Sequence, residues 1–105
     1  MPFAFDDDHA PLYTVGQVAG MLGVQPAFVR RLDTEQVVQP ARSEGNQRRY
    51  SRAQIGMVQH VARLADEGMT LHSIRRIIEL EAEVLALQQL IQDQAARLEA
   101  RPPAR

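Results

Sequence analysis

Residues 14–36 read TVGQVAGMLGVQPAFVRRLDTEQ, and residues 39–51 read QPARSEGNQRRYS. In the first stretch, Thr14 and Gln17 stand at capping-box spacing and open a helix over about residues 15–22. Val15, Val18, Ala19 and Leu22 then share one face at i, i+3, i+4 and i+7. Gly23 ends that helix. Pro26 suits the first turn of a second one, running to about Gln36, with Phe28, Val29 and Leu32 as its apolar face. Two short helices separated by Gly-Val-Gln make a helix-turn-helix candidate. In the second stretch Pro40 forbids a continuing helix. Ser43-Glu44-Gly45-Asn46 is rich in turn formers, with Arg42 before it and Arg48, Arg49 and Tyr50 after it. This predicts a small β-hairpin, a wing.

Outward from this centre, Ser51 and Gln54 repeat the capping-box spacing and start a third helix. Its apolar positions are Ile55, Val58, Val61, Ala62 and Leu64, and Gly68 closes it. Thr70 caps a fourth helix with Leu71, Ile74, Ile77 and Ile78 inward. From Ile77 the period changes. Ile77, Leu80, Val84, Leu87, Ile91, Gln94 and Leu98 are spaced alternately by 3 and 4, a heptad seam. A helix of roughly 25 residues is about 37 Å long, more than so small a domain covers. The seam therefore predicts a homodimer, with Ile77, Leu80, Val84, Leu87, Ile91 and Leu98 as its contacts. Pro102 and Pro103 stop the helix. The expected organisation is a disordered acidic tail at 1–11, a winged helix-turn-helix domain at 12–76, a coiled-coil helix at 77–101 and a tail at 102–105. The fold class is mainly α, with a short β-hairpin wing and a C-terminal dimerisation helix.

The chain has 105 residues and a formal charge of −1. Its lack of Cys excludes disulfides, thiolate metal sites and thiol redox chemistry. No apolar run approaches the roughly 18 residues of a membrane helix, so we expect a cytoplasmic, nucleoid-associated protein and no membrane partner. The charge is unevenly spread. Residues 1–27 hold three Asp and no base, residues 28–76 hold nine Arg and five acids, and residues 77–105 hold three Arg and five acids. The positive charge sits in the middle of the chain. Every base is Arg, whose planar fork clamps phosphate or guanine bidentately. His9, His60 and His72 lie far apart in sequence, without ligand spacing. Neither a nucleophile elbow nor a glycine-rich phosphate loop occurs. We expect no enzyme, no metal and no cofactor.

A helix-turn-helix followed by an Arg-bearing wing suits double-stranded DNA. The second helix fits a major groove, with its N-terminal residues nearest the base edges. Gln25, Ala27, Phe28, Arg30 and Arg31 lie in or near that region, although Phe28 also suits the core. Arg42, Arg48 and Arg49, with Asn46 and Gln47 at the tip, offer the wing to the DNA backbone, where most contacts position rather than specify. Tyr50 either contacts phosphate or packs beneath the wing. Arg75 and Arg76 either reach flanking phosphate or form a solvated face.

In order along the chain stand Tyr13-Thr-Val-Gly-Gln-Val-Ala, Gly23-Val, Phe28-Val-Arg30, Pro40-x-Arg42, Arg48-Arg49-Tyr50-Ser51 and Gly68-Met-Thr-Leu71-x-x-Ile74. Together they resemble the MerR family of bacterial transcription regulators across residues 12–78. Gln47-Arg-Arg-Tyr-Ser and Arg76-Ile-Ile-Glu-Leu-Glu81 most resemble its small heat-shock repressor (HspR-like) subgroup. The resemblance implies a dimer, paired through antiparallel helices, on a near-palindromic promoter operator. Repression is the expected sign. It assigns Arg30 to the recognition-helix Arg, and Arg48 and Tyr50 to the wing Arg and Tyr. It also implies a chaperone or other protein corepressor, a contact that no residue here marks. The family usually has an aromatic at Leu32 and Gly at Gln36, and an aromatic beside Arg48. At position 32 the departure implies weaker backbone contact, or compensation by Arg31. Two other functions fit the same residues: an architectural or excisionase-like DNA-binding protein, and an adaptor whose coiled coil recruits a partner.

Overall fold

In the computed structural model, which describes residues 7–103, three of the four helices start on a hydroxyl. Thr14 Oγ1 accepts from Gln17 N at 3.1 Å, and Gln17 Oε1 accepts from Thr14 N at 2.9 Å, opening α1 (Val15–Leu22). Helix α2 (Pro26–Thr34) starts on Gln25 and a proline in its first turn. Ser51 and Gln54 repeat the reciprocal cap for α3 (Arg52–Asp66). Gln54 Nε2 also donates to Gln39 O at 2.7 Å, tying α3 to the segment entering the wing. Thr70 Oγ1 accepts from Ser73 N at 3.1 Å at the head of α4 (Leu71–Ala100). These bonds satisfy amide donors that have no intrahelical acceptor.

The first three helices end alike. Val24 N donates to Ala19 O, Val37 N to Leu32 O and Met69 N to Leu64 O. Each bond closes over one left-handed residue: Gly23 (φ 66°), Gln36 (φ 60°) and Gly68 (φ 95°). Helix α2 therefore stops at Thr34, two residues before the expected end, because Gln36 must leave helical geometry.

The wing pairs β1 (Ala41–Arg42) antiparallel with β2 (Arg48–Arg49), Ala41 opposite Arg49 and Arg42 opposite Arg48. Asn46 N donates to Ser43 O, and Ser43 N to Gln47 O. Asn46, not Gly45, takes the left-handed position (φ 62°), as in a three-residue hairpin loop. A further pairing was not expected. Tyr13 and Tyr50 exchange backbone bonds of 2.9 and 2.7 Å, so the segment before α1 is stitched to the wing's end.

The core is made of Val18 and Ala19 from α1, Val29 and Leu32 from α2, Val58 and Val61 from α3 and Ile74 from α4, with Val37, Val38 and Tyr50 from the segments between α2 and α3. The amphipathic faces read from the helical spacing supply most of it.

The chain divides into two units, the first reaching residue 75 and the second starting at residue 76. In the second, α4 stays helical to Ala100, just before Pro102 and Pro103. Leu80, Val84, Leu87, Ile91 and Leu98 are all exposed on the single chain, as are Leu85 and Leu90 outside the heptad positions.

Within the stretch expected as an N-terminal tail, Asp8 contacts α3. Asp8 O accepts from Ala53 N at 3.0 Å, and the Asp8 carboxylate meets Arg52 at 3.5 Å, both at the start of α3. The rest of the expected tail, residues 1–6, lies outside the described residues, as do 104 and 105.

Candidate nucleic-acid interface

Arg42 and Arg48 of the wing turn toward α2, and a cleft of about 380 Å³ lies between wing and helix. Its walls are the start of α1 (Thr14, Val15, Gly16), Arg30 from α2, and Arg42, Gly45, Asn46, Gln47 and Arg48 from the wing. Three guanidinium groups thus border it. The first amides of α1 lie there too, and a helix start favours anions because its N–H groups lack partners. The cleft suits an anionic oxygen such as a backbone phosphate.

The proposed contact residues fall into three groups. Gln25, Ala27, Arg30, Arg31, Asn46 and Gln47 are exposed. Arg31 is only loosely paired, its Nε 3.9 Å from Glu35 Oε1, with both side chains at least half exposed. Such a pair contributes little, so Arg31 can exchange it for phosphate at small cost.

The wing arginines are less free than expected. Arg48 Nε donates to Asp33 Oδ2 at 2.7 Å, and Arg42 Nη2 donates to the same oxygen at 3.1 Å. Arg42 Nη1 also donates to Asn46 O at 3.3 Å across the loop. Arg49 Nη1 turns back to Arg48 O at 3.2 Å. Each guanidinium still keeps further N–H donors for a ligand.

Two aromatic residues face inward. Phe28 is half-buried. Tyr50 is wholly enclosed, which fits the packing role among the two expected for it. Its hydroxyl has no hydrogen-bond partner among the described residues. Burial pushes the phenol above its usual pKa and Asp33 adds to the shift, while Arg48, Arg42 and Arg30 oppose it. Leu32 is also fully enclosed.

The sequence reading missed Asp33 and the start of α1. Asp33 was hidden because its partners lie 9 and 15 residues away. The Thr14 cap located the helix start, but only the folded wing brings that start to the cleft. Among the described residues, no group of three His, Asp or Glu side chains is placed to hold a metal ion.

An exposed recognition helix beside an arginine-bearing hairpin defines a winged helix-turn-helix protein. The model of the MerR HTH family regulatory proteins matches residues 13–81, and the chain belongs to that family. Heat shock protein HspR of Streptomyces coelicolor is 37% identical over 99 residues, which is 93% of this chain. The chain spans 65% of that relative's length. The subgroup likeness read at residues 47–51 and 76–81 thus has a counterpart over most of the chain. The fold is shared with solved structures. The N-terminal part of MtaN, the Bacillus subtilis multidrug transporter activator, superposes with a TM-score of 0.60 at 22% identity, over 83% of this chain and 88% of that one. HiNmlR, a MerR family regulator lacking the sensor domain and bound to promoter DNA, gives 0.60 at 24% identity, over 83% and 79%.

Proposed function

We propose that the chain is a sequence-specific DNA-binding transcription regulator that acts as a homodimer on a near-palindromic promoter operator and represses it. The carrying observation is the cleft where Arg30 of the recognition helix meets Arg42 and Arg48 of the wing. In this reading α2 enters the major groove, with Gln25, Ala27 and Arg30 nearest the bases and Arg31 toward phosphate. The wing lies along the backbone and sets the register. The exposed heptad residues of α4 pair two chains, so that two half-sites are read together. Repression is the sign favoured by the heat-shock subgroup, and a chaperone or other protein corepressor is the partner that likeness suggests.

Selection of fragmented genomic DNA on the purified chain at physiological salt, followed by footprinting, tests this. The expected product is a recurrent inverted repeat overlapping promoters. Arg30→Ala should weaken that specific complex by about 1–3 kcal/mol. Salt-sensitive binding without an enriched sequence would instead favour an architectural role.

A further inference from the structure

Asp33 belongs to the recognition helix, yet its two ion pairs are both with the wing. Arg42 and Arg48 are partners across the hairpin, so one carboxylate oxygen grips both strands at the same rung. An anionic oxygen holding two guanidinium donors does what a phosphate oxygen would do in that place.

The two arginines are not held equally. The Arg48 contact is 2.7 Å, and its side chain is 24% exposed. The Arg42 contact is 3.1 Å, with the side chain 45% exposed and a second bond of 3.3 Å to Asn46 O. Asp33 itself is 14% exposed. A short, sheltered pair resists exchange with solvent ions, whereas a half-exposed one is screened and readily traded.

We infer that Asp33 is a positioning residue that sorts the wing arginines. It keeps Arg48 as the brace between recognition helix and wing, and it leaves Arg42 as the one that turns to a DNA phosphate. This rests on the DNA-binding reading above. Asp33 also offsets one of the three positive charges around the cleft. Sequence-independent affinity grows with the number of phosphates neutralised, so this carboxylate protects the ratio of specific to non-specific binding.

The test is Asp33→Asn in the full chain, titrated against the selected duplex and a shuffled duplex at several salt concentrations. The amide keeps the shape and one acceptor but loses the charge. The dependence of log affinity on log salt should steepen by about 0.9 per protomer. Over a fourfold salt range that is about a 3.5-fold greater loss of affinity per protomer. At low salt the shuffled duplex should gain more than the selected one. Adding Arg42→Gln should return the slope to that of the wild type. A purely structural brace would weaken both duplexes without steepening the slope, and that result would overturn the inference. If Asp33→Asn does not fold, side-chain NMR of the wild type answers the same question. Arg48 Nε–H should stay protected from exchange with and without DNA, while Arg42 shifts on binding; the reverse pattern would overturn the inference. A wild type that binds neither duplex removes the DNA-binding reading and this inference with it. A wild type that binds, with the slope unchanged in Asp33→Asn, removes this inference alone.

Discussion

Tyr50 shows how one side chain joins packing to electrostatics. Its ring fills the core beneath the wing, while its hydroxyl is enclosed without a partner among the described residues. An unpaired buried hydroxyl costs about 1–3 kcal/mol, and removing it leaves the ring's packing intact. Tyr50→Phe should therefore stabilise the fold by about 1 kcal/mol, read as a higher urea midpoint at unchanged slope. The sign with pH follows from the raised phenol pKa. Above the ordinary tyrosine pKa the unfolded chain releases this proton while the folded chain retains it. The unfolded state then binds fewer protons, so stability falls as pH rises into that range and is unaffected by Tyr50 well below it. Titrating both proteins through the alkaline range isolates this residue from Tyr13. The wild type should lose stability more steeply than Tyr50→Phe, and parallel curves would refute the assignment. The run Arg48-Arg49-Tyr50-Ser51 marked the wing in the sequence. Which way the phenol faced was not legible, because the core it enters is assembled from residues distant in sequence, Val18 and Leu32 among them.

At the scale of the element, helix endings show what local pattern can and cannot tell. The three reciprocal or hydroxyl caps and the Gly23 and Gly68 stops all join residues within a few positions, so their signals stand next to one another in the chain. The end of α2 uses the same closing bond with Gln36 where the other two have Gly. A side chain at φ 60° is strained by its Cβ, and that strain is avoidable. Gln36→Gly should raise stability by about 0.5–1 kcal/mol, with the gain reduced by glycine's greater freedom in the unfolded chain. Gly23→Ala should lower it by a similar amount, although a Cβ there meets nothing within 4 Å. Thermal unfolding of both variants checks the pair of signs; two losses would mean that the Gln36 side chain has a role in the native state. Contacts closed over long loops were the illegible part. The Tyr13–Tyr50 pairing and the Asp33 grip on the wing link residues whose separate patterns carry no sign of each other. The arginines of the interface were legible as a cluster. Their division into exposed, braced and turned-back groups was not.

At the scale of the whole molecule, the two units differ in what they expose. The unit up to residue 75 holds the core and the arginine cleft, while α4 beyond it carries a row of large apolar side chains open to solvent. Leu87 is 59% exposed and Ile91 65%, far from the enclosure of Val58 or Ile74. Their heptad spacing puts them on one stripe, the pattern of a helix that pairs with another. The charge division fits the same assignment. The central segment carries the excess of Arg, and the stretch from 77 onward has more acid than base, which keeps that helix a poor rival for DNA. A carboxylate placed in the middle of the seam would be desolvated beside its own copy in a dimer and harmless on a lone helix. Leu87→Asp should therefore leave the melting of the N-terminal unit nearly unchanged while abolishing association, measured by sedimentation at micromolar concentration. Affinity for the selected operator should drop by about 100-fold or more, because each half-site then binds without the local concentration its partner supplies. Affinity for shuffled DNA should change far less, since it depends on the arginine cleft that each chain retains. A Leu87→Asp monomer that still held the operator tightly would show that one winged unit reads the site alone.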